Sequence, residues 1–286
     1  MKNVNEFENI ISPNATFKLK AKILEIIKYH ELIIIFVKKD FKVLYKQTIL
    51  GPLLYVIQPI ILSFTFTLIF NNIGSLNTGA TPNFLFNLTG ITLWNYFSAC
   101  LTATTNTFQQ NAESYSKVYF PRIILPISNI ITYLIRFLIQ ITVVLIFFIY
   151  YKSIGVQINL YPSMVLLIIP VFILGLLSIG LGMIFTTIVS KYKDLTTILP
   201  IFIQFLMFIS AVMYPLSLVY TKMSKYTWVI IYNPISYIIE TGRCLFLHNG
   251  NIPFYGLFYS ITLTILIFIT GFIVFHKKER IFLDTI

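Results

Sequence analysis

Few side chains in this sequence have the means for chemistry, and their spacing limits what they can do. Glu240 and His248 share one polar segment and are the best available general-base candidates, which a membrane transferase would need. Glu240 and Arg243, however, stand three apart, a spacing that pairs them on a helix. Arg136 lies inside a long apolar run, about 16 Å past Leu125 by helical rise. There it needs a partner, either a pyrophosphate on a cargo or the carbonyls and hydroxyls of neighbouring helices. The three histidines, His30, His248 and His276, are scattered, so no metal-site spacing exists. Cys100 and Cys244 are too few for a disulfide framework. No G-x-x-x-x-G-K-[ST] phosphate loop occurs, so the chain cannot use ATP by that route. No catalytic or metal site is assigned, and no cofactor is expected on this chain.

The elements that hold these residues follow from composition. Of 286 residues 57% are hydrophobic and 11% charged, with a mean hydropathy of +0.83. Soluble domains carry about 25% charged residues, so the solvent for this chain is the bilayer. A net charge of +11 would suggest nucleic acid in a soluble protein; here it fits cytoplasmic loops rich in Lys and Arg. No cleavable signal peptide is evident, and the lysine-rich start leaves insertion to the first span.

One all-α membrane domain is expected over 1–286, with six transmembrane helices. Residues 1–16 are polar and are expected to be loosely ordered. Residues 17–47 alternate lysines with apolar residues and read as an N-terminal interfacial helical region; the apolar run Leu32–Val37 falls far short of the ~20 residues needed to cross. Spans are expected at about 53–70, 84–108, 123–151, 164–190, 198–214 and 252–275. Pro59 in the first frees a backbone carbonyl for a neighbouring helix to satisfy. The second is the least apolar; its Asn, Ser and Thr residues face other helices or a wet pathway. Gly175, Ser178, Gly180 and Gly182 in the fourth permit close helix packing. Residues 215–250 read as two short re-entrant helices broken near Asn233-Pro234, because Glu240 and Arg243 disfavour a span. With this topology sixteen Lys and Arg lie on the side of both termini and four on the other, which places both termini in the cytoplasm. No acidic residue falls within a span, which disfavours a proton-coupled carrier. A channel-like body with a basic cytoplasmic face and no motor suggests a permease driven by a partner subunit.

Particular stretches carry a resemblance. Tyr45-Lys-Gln-Thr-Ile-Leu-Gly-Pro-Leu-Leu-Tyr-Val-Ile-Gln-Pro59, Ser116-Lys-Val-Tyr-Phe-Pro-Arg-Ile-Ile-Leu-Pro126, Tyr232-Asn-Pro-Ile-Ser236 and Glu279-Arg-Ile-Phe-Leu-Asp284 resemble polysaccharide-export permeases of the type-2 ABC transporter family, from about Lys38 onward. The resemblance implies a homodimer of this chain with two copies of a nucleotide-binding ATPase subunit. ATP and Mg would sit on that subunit. The cargo would be undecaprenyl-pyrophosphate-linked polysaccharide, O-antigen foremost, crossing the lipid of the bacterial inner membrane. Gln109–Pro126 would be a cytoplasmic coupling helix, with Ser114, Tyr115, Ser116, Lys117, Tyr119, Pro121 and Arg122 against the ATPase. Tyr55, Phe64, Phe66, Trp94, Tyr96, Phe97 and Arg136 are channel-lining candidates, the aromatics by stacking on sugar rings. Tyr214, Pro215, Trp228, Asn233, Pro234, Glu240 and Arg243 would form an outer gate. A drug or lipid permease keeps the fold and changes the cargo; a membrane glycosyl- or acyltransferase is the alternative from another class.

Overall fold

The least apolar of the long helices stands at the centre of the bundle. The computed structural model describes residues 28–46, 53–73, 81–107, 120–121, 123–159, 161–192, 194–222, 227–248 and 250–278. In chain order they form α1 (His30–Lys46), α2 (Leu53–Phe66) continued by a π-helical stretch (Thr67–Ile73), α3 (Asn83–Thr105), α4 (Ile124–Ser153), and a 3-10 turn (Pro162–Leu167) leading into α5 (Ile168–Val189). There follow α6 (Leu195–Phe208), α7 (Leu216–Lys222), α8 (Thr227–Ile231), α9 (Pro234–Leu247) and α10 (Phe254–Lys278). No strand occurs among the described residues.

Helix α3 packs against α2, α4, α5, α6 and α9, and almost all of its middle is buried. Its polar side chains are spent inside the protein. Thr89, Thr92, Thr102 and Thr105 each donate to the carbonyl four residues back, at 2.8 Å in every case. Asn87 Nδ2 reaches across to Thr67 Oγ1 at 3.0 Å and ties α3 to the π-helical end of α2. Thr186 Oγ1 of α5 donates to Thr104 O at 2.8 Å. In lipid the apolar faces of helices gain nothing by leaving solvent, so such bonds and close packing hold the bundle.

Close packing is concentrated where side chains vanish. At the α5–α10 crossing a Cβ on Gly180 would stand 2.8 Å from the Phe268 Cα, and one on Gly271 would strike the Gly180 carbonyl. The glycine-rich stretch of the expected fourth span is therefore a helix-crossing point, and α10 is its partner.

Among the described residues four helical segments are long and apolar enough to cross a membrane: Leu53–Phe70, Ile124–Ser153, Pro162–Val189 and Phe254–Lys277. Two expected spans differ. Helix α3 has 23 residues, but its Thr and Asn content keeps it out of that set. Helix α6 has only 14 residues, about 21 Å against a ~30 Å core. It ends at Phe208 instead of Tyr214, because the carbonyls beyond it are captured by α9. Helix α1, the described part of the interfacial region, buries Ile33 and Phe36 against Phe120, Ile124 and Leu125 while Lys38, Lys39 and Lys42 stay exposed.

Candidate functional site

The first cluster grows from a proline. Pro59 has no N–H, so the Tyr55 carbonyl four residues earlier loses its helical donor. Gln140 on α4 supplies one: its Nε2 donates to Tyr55 O at 3.1 Å. One turn earlier on α4 is Arg136, and its guanidinium carbon lies 4.6 Å from the Tyr55 ring centre and 4.4 Å from that of Tyr133. These are cation–π distances. Among the described residues Arg136 makes no hydrogen bond and no ion pair, and its Nε is buried without a partner. The carbonyl or hydroxyl partner that its depth calls for is thus not what the bundle provides. Asp40 of α1 lies close enough to feel its charge. Burial raises the Asp40 carboxyl above its ordinary value, while Lys39 and Arg136 pull the other way.

The second cluster closes the end of α6. Residues 209–214 leave the helical path, with Ala211 at φ +50°, a conformation that is costly for an L-residue. Their freed carbonyls are met from α8–α9. Asn233 Nδ2 donates to Ile209 O at 3.1 Å and to Ser210 Oγ at 2.9 Å, while its Oδ1 caps α9 by accepting from Ile235 N. Pro234 follows at the first helical position, where a missing N–H is harmless. Arg243, 2% exposed, donates to Ala211 O at 2.7 Å, to Val212 O, and to Tyr214 O at 3.4 Å. It also pairs with Glu240 at 3.0 Å and stacks on Phe86, 4.0 Å from the ring centre. Gly90 makes room: a Cβ there would stand 2.5 Å from Arg243 Nη2 and from Val212 O.

This cluster brings together Tyr214, Asn233, Pro234, Glu240 and Arg243 of the outer-gate set. Pro215 is buried beside them in sequence, and Trp228 on α8 is exposed. The expected break appears at Tyr232–Asn233, between Thr227–Ile231 and Pro234–Leu247. Glu240 is committed to Arg243, whereas His248 stacks on Tyr161 with ring centres 3.8 Å apart. The two groups of the transferase reading are therefore engaged in different contacts.

Of the coupling residues, Ser114, Tyr115, Ser116, Lys117, Tyr119 and Arg122 lie outside the described residues. Pro121 lies within them, between buried Phe120 and the start of α4. The Phe120 ring meets Phe36 of α1 at 5.6 Å. Asn129 Nδ2 on α4 donates to Thr107 Oγ1, just past α3, at 3.2 Å. Both flanks of the segment are thereby tied to each other.

The lining candidates do not form one group. Tyr55 and Arg136 stack together. Phe64 is exposed, 57%, and Phe66 half-buried beside Phe70 at 5.8 Å. Trp94 and Phe97 pair at 5.4 Å, and Tyr96 meets Phe137 at 5.5 Å, all three inside the single-chain core. Sequence reasoning missed Gln140, Asn129 and the role of Gly90, whereas Asn87 was among the second-span residues expected to face other helices and bonds to Thr67. An amide one turn from Arg136, opposite a proline-bearing span, was the available signal for Gln140. Gly90 had none, because its role is to leave space for a residue 153 positions away.

Known proteins are similar to this chain in sequence. Two O-antigen export system permease proteins, RfbA, of Klebsiella pneumoniae are each 26% identical over 258 residues, covering 89% of this chain and 94% of theirs. The RfbA of Myxococcus xanthus is 24% identical over 224 residues, 78% of this chain and 82% of its own. The model of the ABC-2 type transporter family matches residues 31–247, which take in nearly all of α1, the stretch 109–126 and the whole α6–α9 clamp. By that match, over well more than half of its length, the chain belongs to the ABC-2 type transporter membrane family.

Proposed function

We propose that this chain is the transmembrane subunit of an ABC exporter that moves a lipid-linked polysaccharide, O-antigen foremost, across the inner membrane. The observation that carries the cargo is the similarity to O-antigen export permeases along nearly the full length of both chains. In this reading α2, α3, α4, α5, α6 and α10 are six spans, with both termini in the cytoplasm and α7–α9 re-entrant at the outer face. Helix α6, though short, needs only a thinned path, because α7–α9 cover its outer end.

Two copies of the chain pair with two copies of an ATPase subunit, whose ATP and Mg supply the energy. The segment 109–126 receives the push. The Asn129–Thr107 bond and the Phe36–Phe120 contact support this, since a force on the segment reaches α1, α3 and α4 together. The outer end is held shut by α9, whose Asn233 and Arg243 grip the chain after α6. Exposed Phe64 on α2 is the lining aromatic best placed to meet sugar rings.

Co-purification tests the reading. Tagged chain should bring down an ATPase, and Lys117→Glu should stop export, leaving lipid-linked glycan inside the cell. No ATPase in the complex, together with unimpaired export by Lys117→Glu, refutes it. Accumulation of a drug or a plain lipid in place of glycan would transfer the cargo to the alternative permease reading.

A further inference from the structure

The Arg136 cluster does something its neighbours do not explain. An arginine within a membrane helix is costly and is retained where it has an anionic or dipolar partner. Arg243 shows the usual solution, with a carboxylate and three carbonyls. Arg136 has two tyrosine rings and, among the described residues, no hydrogen-bonded acceptor. Of its nitrogens only Nε is sealed from the surface, so the guanidinium edge stays open. Ring stacking orients a guanidinium and leaves its in-plane N–H groups to bind two oxygens at once.

The height of the cluster names the oxygen source. Helix α1 runs beside α4, so that Ile33 and Phe36 meet Ile124 and Leu125, while Asp40 further along feels Arg136. Lys38, Lys39 and Lys42 on the outer side of the same helix are exposed, as at a headgroup layer. In the topology proposed above α1 lies at the cytoplasmic headgroup layer, and Arg136, whose charge reaches Asp40 of α1, would be approached by phosphates from that layer. Asp40 is the carboxylate nearby, yet it makes no ion pair with Arg136.

We infer that Arg136, oriented by Tyr55 and Tyr133, is a binding site for the phosphate group of a lipid headgroup entering from the cytoplasmic leaflet. The ligand chemistry is a phosphate or pyrophosphate ester on a hydrophobic tail, and its source is either bulk phospholipid or the polyprenyl carrier of the cargo. The site deepens the transport reading and rests on it for the membrane topology and for the carrier as source.

The test is lipid retention by the purified full chain in micelles, read by native mass spectrometry. The probes are phosphatidylglycerol, undecaprenyl pyrophosphate and phosphate-free diacylglycerol. Arg136→Gln should weaken retention of a phosphate lipid by about tenfold or more and leave diacylglycerol unchanged. Arg136→Lys should fall between, because an ammonium cannot hold two oxygens in one plane. Thermal midpoint and monodispersity are checked for each variant; if Arg136→Gln does not fold, Arg136→Lys carries the same comparison. Loss on both phosphate lipids supports a general phosphate site, and loss on undecaprenyl pyrophosphate alone assigns it to the carrier. Equal retention of all three lipids by wild type and variants overturns the site, whatever export does. Arg136-dependent retention in a chain that exports no glycan would instead refute the glycan reading and leave the site standing.

Discussion

Replacing Arg243 by methionine should unfold the end of the bundle where α9 grips the chain after α6. Methionine keeps much of the length and the contact with Phe86 but removes every polar bond. Two losses follow. Glu240 is left as a buried carboxylate without its cation, and breaking such a pair from one side costs about 3–5 kcal/mol. The carbonyls of Ala211 and Val212 are also orphaned, at about 1–3 kcal/mol for each buried unsatisfied group. The Tyr214 bond, at 3.4 Å, adds little. These terms overlap, since one side chain serves them all, and a net loss of about 4–6 kcal/mol is the working value. Against a total stability of about 5–15 kcal/mol that is a large share.

The assay is thermal unfolding of the purified chain in micelles. Tryptophan fluorescence reports from two places, Trp94 in buried α3 and exposed Trp228 on α8. At about 2–4 °C per kcal/mol the midpoint should fall by roughly 10–20 °C. The signal at Trp228 should go first, because α8 is anchored through the clamp. Glu240→Gln in the Arg243→Met background should recover about 1–3 kcal/mol by removing the stranded charge. A midpoint within 2 °C of wild type for Arg243→Met would refute the clamp. Arg243 would then be a gate residue acting on cargo rather than a group that holds the chain after α6.

Three further outcomes are expected. Gln140→Leu should cost about 1–3 kcal/mol by stranding the Tyr55 carbonyl, and Pro59→Ala should rescue it by returning the helical N–H; a double-mutant cycle with no coupling would dismiss the link. Gly180→Leu should abolish accumulation of folded chain, because its side chain would enter the Phe268 backbone of α10; normal yield on gel filtration would contradict the crossing. Asp40→Asn should stabilise the chain at pH 7. The folded state holds the Asp40 proton more tightly than the unfolded, so the charged form costs stability above its folded pKa. The gain should shrink as pH falls towards 3.8, and melts across pH 4–8 measure it.

Much of the fold was legible because it depends on local composition. Apolar runs set the long helices, and Asn233-Pro234 marked the break between α8 and α9 through a capping amide followed by a first-turn proline. Pro59 announced a freed carbonyl, although not that Gln140 would fill it. The end of α6 was not legible. Ile209, Ser210, Ala211 and Val212 read as ordinary continuation of an apolar helix, and what stops it is a set of donors some 24–32 residues later. Backbone acceptors have no side-chain signature, so Arg243 showed only its short-range pair with Glu240.

The hydroxyls and amides of α3 posed the harder question, whether they mark a wet pathway or internal ties. Buried amides and Arg243 across the bundle answer part of it by where their partners lie. Gln140 meets the carbonyl released by Pro59, Asn87 meets the π-helical stretch after α2, Asn129 meets the end of α3, and Asn233 and Arg243 meet the chain after α6. Each stands opposite an interruption of regular helix. In hydrocarbon an irregular backbone must be satisfied by protein, so a polar side chain facing such a place is a structural requirement of the fold. That rule explains why so polar a helix as α3 is also the most enclosed: it is the element against which the interrupted ones are secured. Arg136 is the charged side chain that stands apart from that rule. The carbonyl freed by Pro59 beside it is already met by Gln140, and Arg136 is left with two aromatic rings, so it is there that the bundle's polar chemistry is directed outward to a ligand.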